Sequence, residues 1–383
     1  MDHHSLYDLT PIARVALLGI VIALGPLAWV WLRNRQAAPA QRLRVLTFVT
    51  LFLTFDLILF GAFTRLTDSG LGCPDWPGCY GAASPVGAQA QISASQAALP
   101  DGPVTHKKAW IEMIHRYLAT GVGVLILTLA VVSWLRRREL LALPRPVSPW
   151  WPTATLVWVC VQGAFGALTV TMKLYPAIVT AHLLGGLFLL ALLVAQAVRY
   201  DAKPSLALGP GLRRAVVGVT ALVWLQIALG GWVSTNYAVL ACTDFPTCHG
   251  KWWPEMNFAE GFTILRELGR SATVMPDGTQ GYLPFAALTA IHYTHRLSAY
   301  VVFAAALALA WALWRAGRQG RVDAAVQPYA HWLAGLCLWQ FASGLSNVVL
   351  GWPLVAAVAH TAGAAGFVAV LAWLLARSKP LRA

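Results

Sequence analysis

Long apolar runs alternate with short polar or basic connections along most of this 383-residue chain. Runs at about 14–32, 43–63, 110–135, 151–171, 178–198, 214–235, 286–314, 329–350 and 354–376 are each long enough, as helices, to cross a hydrocarbon layer of ~30 Å. The strict alternation of a membrane barrel is missing, and unpaired strand edges cannot face lipid. The pattern predicts an all-α polytopic membrane protein with about nine helices.

Composition agrees: 58% of residues are hydrophobic and 11% charged, against roughly a quarter charged in soluble proteins. The net charge of +13 would permit a nucleic-acid partner, but its distribution argues for topology. Arg33, Arg35, Arg42 and Arg44 share one connection, and Arg136, Arg137, Arg138 and Arg145 another. Arg199, Lys203, Arg213 and Arg214 form a third group, Arg315, Arg318 and Arg321 a fourth, and Arg377, Lys379 and Arg382 the tail. Longer, less basic connections lie between them, which is the positive-inside pattern. It places the N-terminus outside and the C-terminus inside, with lipid and not nucleic acid around the chain. The first run has no basic leader and no small-residue cleavage site before the next span, so it is read as a retained helix rather than a signal peptide.

From residue 43 onward the pattern occurs twice. Gly61 aligns with Gly230, Cys73 and Cys79 with Cys242 and Cys248, and Ile111, His115 and Arg116 with Ile291, His295 and Arg296. Gln162, Gly166 and His182 align with Gln340, Gly344 and His360. The expected organisation is an extra N-terminal helix and inner loop (1–42), a first four-helix bundle (43–200) and a second with the tail (201–383). Four helices per copy preserve orientation, so the bundles form a pseudo-symmetric parallel repeat about an axis along the membrane normal. Two long outer loops run about 65–109 and 236–285. In the second, Phe258, Phe262, Leu265 and Leu268, beside Glu260, Arg266, Glu267 and Arg270, have the spacing of a short helix, either lying on the membrane or capping the outer side.

The cysteines divide by place. Cys160 and Cys337 fall inside apolar runs, where a thiol usually serves packing. Cys73–Cys79 and Cys242–Cys248 are Cys-x5-Cys pairs in outer loops, where oxidising surroundings favour disulfides. A metal or redox site, drawing on His249 after Cys248, is the competing reading.

Ionisable groups within a bilayer cost several kcal/mol and are usually functional. One membrane histidine would most simply bond to a neighbouring helix, but His115, His182, His295 and His360 recur at matched positions. Imidazoles offered by facing helices can ligate haem iron, and Arg116, Arg296 and Arg65 are candidate contacts for haem propionates. Glu112 lies three residues before His115 and so on the same helix face, whereas its counterpart is His292. A di-iron site would need about four carboxylates, and only Asp56 and Glu112 fall within the runs. Asp56 is read as either a proton relay or a neutral packing acid, and His292 has no assigned role.

Together, Gly61-Ala-Phe-Thr-Arg65-Leu-Thr-Asp-Ser-Gly70, the two cysteine pairs, Glu112-x-x-His115-Arg116, His182, His295-Arg296 and His360 resemble the haem A synthase family over about residues 43–376. The resemblance implies oxidation of the C8 methyl of haem O to a formyl group, yielding haem A for terminal oxidases. It assigns His115 and His182 to substrate haem, Glu112 to catalysis, and His295 and His360 to the iron of a haem b. Haem O synthase and a second copy of the chain are candidate partners beside haem O and lipid, while the sequence does not reveal the electron donor, the source of the inserted oxygen or the oligomeric state. A bis-histidine electron-transfer cytochrome and a repeat-built haem transporter also fit duplication and buried histidines. Glu112 in one half only favours the enzyme.

Overall fold

The computed structural model describes residues 10–143, 146–201, 203–265, 273–274, 280–281 and 283–380. Arg145, Arg266, Glu267, Leu268, Arg270 and Arg382, invoked above, lie outside these. Among the described residues nine helices of 22 to 34 residues carry the chain. They are α1 (Thr10–Arg33), α2 (Pro39–Leu66), α3 (His106–Leu135), α4 (Trp150–Thr171), α5 (Pro176–Arg199), α6 (Pro210–Thr235), α7 (Phe285–Arg318), α8 (Gln327–Val349) and α9 (Leu354–Arg377). The protein is a multi-pass α-helical membrane protein.

Local chemistry sets several boundaries. Proline occupies the first turn of α2, α6 and α8, where its missing N–H costs no helical hydrogen bond. Thr105 caps α3 by accepting a hydrogen bond from Lys108 N at 3.2 Å. Eight of the nine helices are long and apolar enough to cross a membrane, and α8 is the exception. The expected span at 329–350 is therefore a helix of full length whose Gln340, Ser343, Ser346 and Asn347 lower its apolarity. It packs against both α7 and α9, and Ser343 Oγ bonds back to Trp339 O at 2.8 Å, which lessens the cost of polar groups in lipid.

Contacts divide the chain into two units, Met1–Leu174 with Gln196–Ala202, and Tyr175–Ala195 with Lys203–Ala383. In the first, α3 packs against α1, α2 and α4. The buried face of α2 carries Thr47, Thr50 and Thr54, whose hydroxyls bond to carbonyls one turn back at 2.7–2.8 Å. Gln196 then bonds to Thr47 Oγ1 at 3.2 Å, and the Arg199 guanidinium lies 3.5 Å over the Trp151 ring, fastening the end of α5 to this unit. In the second unit α6, α7, α8 and α9 close a four-helix ring, each touching the next and α9 returning to α6. Leu206–Leu208 pairs in parallel with Ser378–Pro380, joining the segment before α6 to the one after α9.

The outer loops are partly helical. The first contains Gln89–Ala98, which buries Ile92. In the second, helix is confined to one turn, Phe258–Gly261, capped by Asn257. Gly261 ends it, and its carbonyl accepts a hydrogen bond from Trp232 Nε1 at 2.8 Å.

Candidate active site

Helix position places the four histidines at two matched depths. His115 lies nine residues after His106 at the start of α3, and His295 ten residues after Phe285 at the start of α7. His182 and His360 each lie six residues into α5 and α9. At about 1.5 Å per residue, each pair is offset from its helix start by nearly the same distance.

Three of these rings rest on a glycine of a neighbouring helix. A methyl group built on Gly61 of α2 would sit 3.1 Å from His115 Cε1, one on Gly230 of α6 2.9 Å from His295 Cε1, and one on Gly344 of α8 3.1 Å from His360 Cε1. The missing side chain lets the imidazole lie edge-on against the helix. Phe60 adds a second wall to His115, its ring nearly parallel at a centroid distance of 6.2 Å. All four histidines lie deep among helices yet keep some accessible surface.

In the second unit both rings are held at Nδ1. Gln226 Nε2 lies 3.0 Å from His295 Nδ1 and donates to His295 O at 3.0 Å, while the Ser298 hydroxyl bonds to Gln226 Oε1. Ser343 Oγ lies 3.0 Å from His360 Nδ1. Two imidazoles on different helices of one bundle, each with a polar side chain at Nδ1, are residues that could hold a haem iron. Among the described residues no group of three His, Cys, Asp or Glu side chains is placed to hold a metal ion.

Around Glu112 the first unit differs. This carboxylate is 4% exposed; its Oε2 accepts a hydrogen bond from Cys73 N at 2.8 Å, and its Oε1 pairs with Arg116 Nη2. Arg116 Nη1 donates to Asp75 O at 2.9 Å, Pro77 O at 3.3 Å and Gly78 O at 2.6 Å. In the second unit His292 holds Glu112's place: Nδ1 donates to Ala238 O at 2.8 Å, and Nε2 accepts from Arg296 Nη2 at 3.3 Å. Arg296 Nη1 donates to Asp244 O at 2.8 Å and Thr247 O at 2.6 Å, and Nη2 to Cys242 O at 3.2 Å. One buried arginine thus meets a carboxylate and the other a neutral ring. Both arginines, expected at propionates, tie an outer loop to its helix; Arg65 pairs with Asp68 at 3.0 Å.

The cysteines in those loops are joined to one another, Cys73–Cys79 with S–S 2.10 Å and Cys242–Cys248 with S–S 1.99 Å. His249, offered above as a metal partner, instead donates from Nε2 to Ala241 O at 2.7 Å. An aspartate closes each loop. Asp75 accepts from Tyr80 N at 2.6 Å and Gly81 N at 2.7 Å. Asp244 accepts from Thr247 Oγ1 at 2.6 Å, His249 N at 2.7 Å and Gly250 N at 3.0 Å. The Thr247 hydroxyl above all, with these amides, holds the Asp244 carboxyl down at about 2. Gly81 and Gly250 have φ of +72° and +69°, the left-handed region that glycine enters freely.

Asp56 stands on the exposed side of α2, away from its buried threonine stripe, and joins no part of this constellation. By contact His182 belongs to the second unit and His115 to the first. Sequence reasoning missed Gln226, Ser298 and Ser343, polar residues inside apolar runs whose partners depend on helix packing. It also missed the loop aspartates, although each stands two residues after the first cysteine of its pair.

Comparison with known proteins bears on what this arrangement does. Residues 44–372 match the family described as cytochrome oxidase assembly protein. A heme A synthase of Shewanella oneidensis is 38% identical over 322 residues, which are 83% of this chain and 91% of the relative. Heme A synthases of Rhizorhabdus wittichii and Caulobacter vibrioides are each 26% identical, over 88% and 91% of this chain and 95% and 99% of theirs.

Proposed function

We infer that this chain, which belongs to the cytochrome oxidase assembly protein family, is a membrane oxidoreductase that converts haem O to haem A by oxidising the C8 methyl to a formyl group. The observation that carries the division of labour within it is the exchange of Glu112 for His292 beneath loops that otherwise make matching contacts.

His295 and His360 are the ligands of a haem b in the second unit, and Gly230 and Gly344 provide the clearance that their rings need. Haem b, when bound, supplies one-electron redox chemistry. His115 and His182 are assigned to the substrate haem O, with Glu112 as the catalytic carboxylate one turn from His115. The matching positions of the two histidine pairs support a tandem duplication of one ancestral bundle, whose copies have diverged in purpose.

Glu112 is suited to handle protons. Loss of water from the aldehyde hydrate, the step that leaves the formyl group, breaks an O–H and a C–O bond with no change of oxidation state, and a positioned carboxylate can take the proton from one hydroxyl and return it to the leaving one; such catalysis contributes about 10²–10⁴ in rate. Arg116 keeps Glu112 oriented and partly compensated, the N–H of Cys73 fixes its other oxygen, and the disulfide loop excludes bulk water from that side. The side chain therefore enters the reaction with little freedom left to lose.

The clustering of arginine and lysine supports a cytoplasmic C-terminus and an outer N-terminus in the bacterial inner membrane. Both disulfide loops then face the oxidising side. Haem O arrives from haem O synthase within the same bilayer.

Co-expression with haem O synthase in a host lacking haem A, followed by chromatography of the extracted haems, tests the reading. The expected product is haem A with its hydroxylated precursor. Folded, haem-loaded protein that leaves haem O unchanged would favour the electron-transfer cytochrome instead.

A further inference from the structure

We propose that Gln226 and Ser343 are positioning residues that fix His295 and His360 through Nδ1, so that the second unit retains its haem. The proposal rests on the reading that His295 and His360 ligate a resident haem b, and goes beyond it by naming what makes that haem resident.

The argument starts from the glycines beneath the imidazoles. Gln226 lies one helical turn before Gly230, and the residue one turn before Gly61 is Leu57. Ser343 immediately precedes Gly344, and the residue preceding Gly166 is Phe165. At both positions the second copy carries a hydrogen-bonding side chain and the first a hydrocarbon one. Gln226 and Ser343 each lie 3.0 Å from Nδ1 of their histidine, whereas the buried Nδ1 of His182 has no hydrogen-bond partner among the described residues.

For an imidazole to ligate through Nε2 as a neutral ring, its proton must sit on Nδ1, and the bond made there orients the ring. The Ser343 hydroxyl can accept that proton's hydrogen bond directly. Gln226 meets Nδ1 with its amide nitrogen, which also donates to His295 O; turned so that its oxygen faces a protonated Nδ1, the carboxamide gives up the bond to His295 O, which the Ser298 hydroxyl also reaches at 3.0 Å. The Ser298 hydroxyl beside it serves either orientation, donating to the amide oxygen or accepting from the amide nitrogen. Removing such outer partners typically costs 10–100-fold in affinity at metal sites.

The test uses full-length protein purified from cells without haem O synthase, so that haem b is the only haem available. Transfer of haem to excess apomyoglobin reports retention, and the low-spin electron paramagnetic resonance signal reports ring orientation. Gln226→Leu and Ser343→Ala are each expected to speed haem loss about tenfold and to shift the g values. Ser343→Thr keeps a hydroxyl and is expected to behave as the parent, which separates loss of the hydrogen bond from general damage. Parent-like transfer rates and g values in both Gln226→Leu and Ser343→Ala overturn the proposal. His295→Ala addresses the underlying reading separately: full haem content with an unshifted signal in that variant would remove His295 as a ligand, whatever Gln226 does.

Discussion

Glu112 Oε2 accepts a 2.8 Å hydrogen bond from the backbone N–H of Cys73, which makes this carboxylate, three residues from His115, part of the first disulfide loop's own bonding. With Oε1 on Arg116, both oxygens are oriented, and the negative charge is compensated where an isolated carboxylate would be costly.

Glu112→Gln keeps the size of the side chain but removes its charge and its capacity to take a proton. Haem A formation is expected to fall by about 10²–10⁴-fold while haem content stays near that of the parent. The measurement is the ratio of haem A to haem O in extracts, with total haem from the pyridine haemochrome. Turnover at the parent rate would remove Glu112 from the chemistry.

The same bond ties activity to one disulfide more than to the other. Opening a loop this short releases about 2 kcal/mol of chain constraint at either pair. Only the Cys73–Cys79 loop also holds Glu112; the corresponding helix position below Cys242–Cys248 is His292, which bonds to Ala238 instead. Cys73→Ser with Cys79→Ser is therefore expected to lower haem A formation well beyond Cys242→Ser with Cys248→Ser, at similar losses of thermal stability. Equal losses of activity would show that the loops act only through the fold.

Much of this was legible in the sequence because hydrophobic period and duplication are one-dimensional signals. The helices, the paired cysteines, the four histidines and the asymmetry between Glu112 and His292 all appear as residue types at spacings. What could not be read was which atoms meet. Arg116 and Arg296 could be picked out because each follows a histidine; that i,i+4 geometry brings Arg116 onto Glu112 and Arg296 onto His292, and that the loops fold over their other nitrogens, could not. Gln226 and Ser343 were silent for a related reason: a polar residue in an apolar run announces a partner without saying which helix carries it. Helix α8 shows the limit of hydropathy, since a helix packed on two neighbours can carry amides and hydroxyls that a lipid-bathed one could not.

The second loop should resist acid. Asp244 has its folded-state carboxyl lowered from the ordinary 3.8 to about 2, chiefly by Thr247. A group depressed in this way stabilises the folded state above its unfolded value and loses that contribution as pH falls through the folded one. The turn at 244–250 is therefore expected to stay closed at pH 4 and to open only as pH approaches about 2. Amide exchange of this segment, corrected for the intrinsic pH dependence, should show unchanged protection between pH 7 and pH 4 in the parent and reduced protection in Asp244→Asn at both. Protection lost between pH 5 and pH 4 in the parent would contradict the assignment.

The glycine seats give the most local test of the histidine sites. A methyl on Gly230 would lie 2.9 Å from His295 Cε1, closer than such carbons pack, whereas one on Gly218 of the same helix meets nothing within 4 Å. Alanine also has the higher helix propensity, by about 1 kcal/mol, so intrinsic preference favours both substitutions and only the imidazole opposes one of them. Gly230→Ala is expected to displace the His295 ring, shifting the haem b absorption and lowering haem content, while Gly218→Ala stays close to the parent or gains slightly in thermal stability. Gly61→Ala, at 3.1 Å from His115 Cε1, should leave the haem b spectrum alone and lower the yield of haem A. If Gly230→Ala and Gly218→Ala prove spectroscopically identical, His295 does not depend on Gly230 for its place, and clearance is not what that glycine provides.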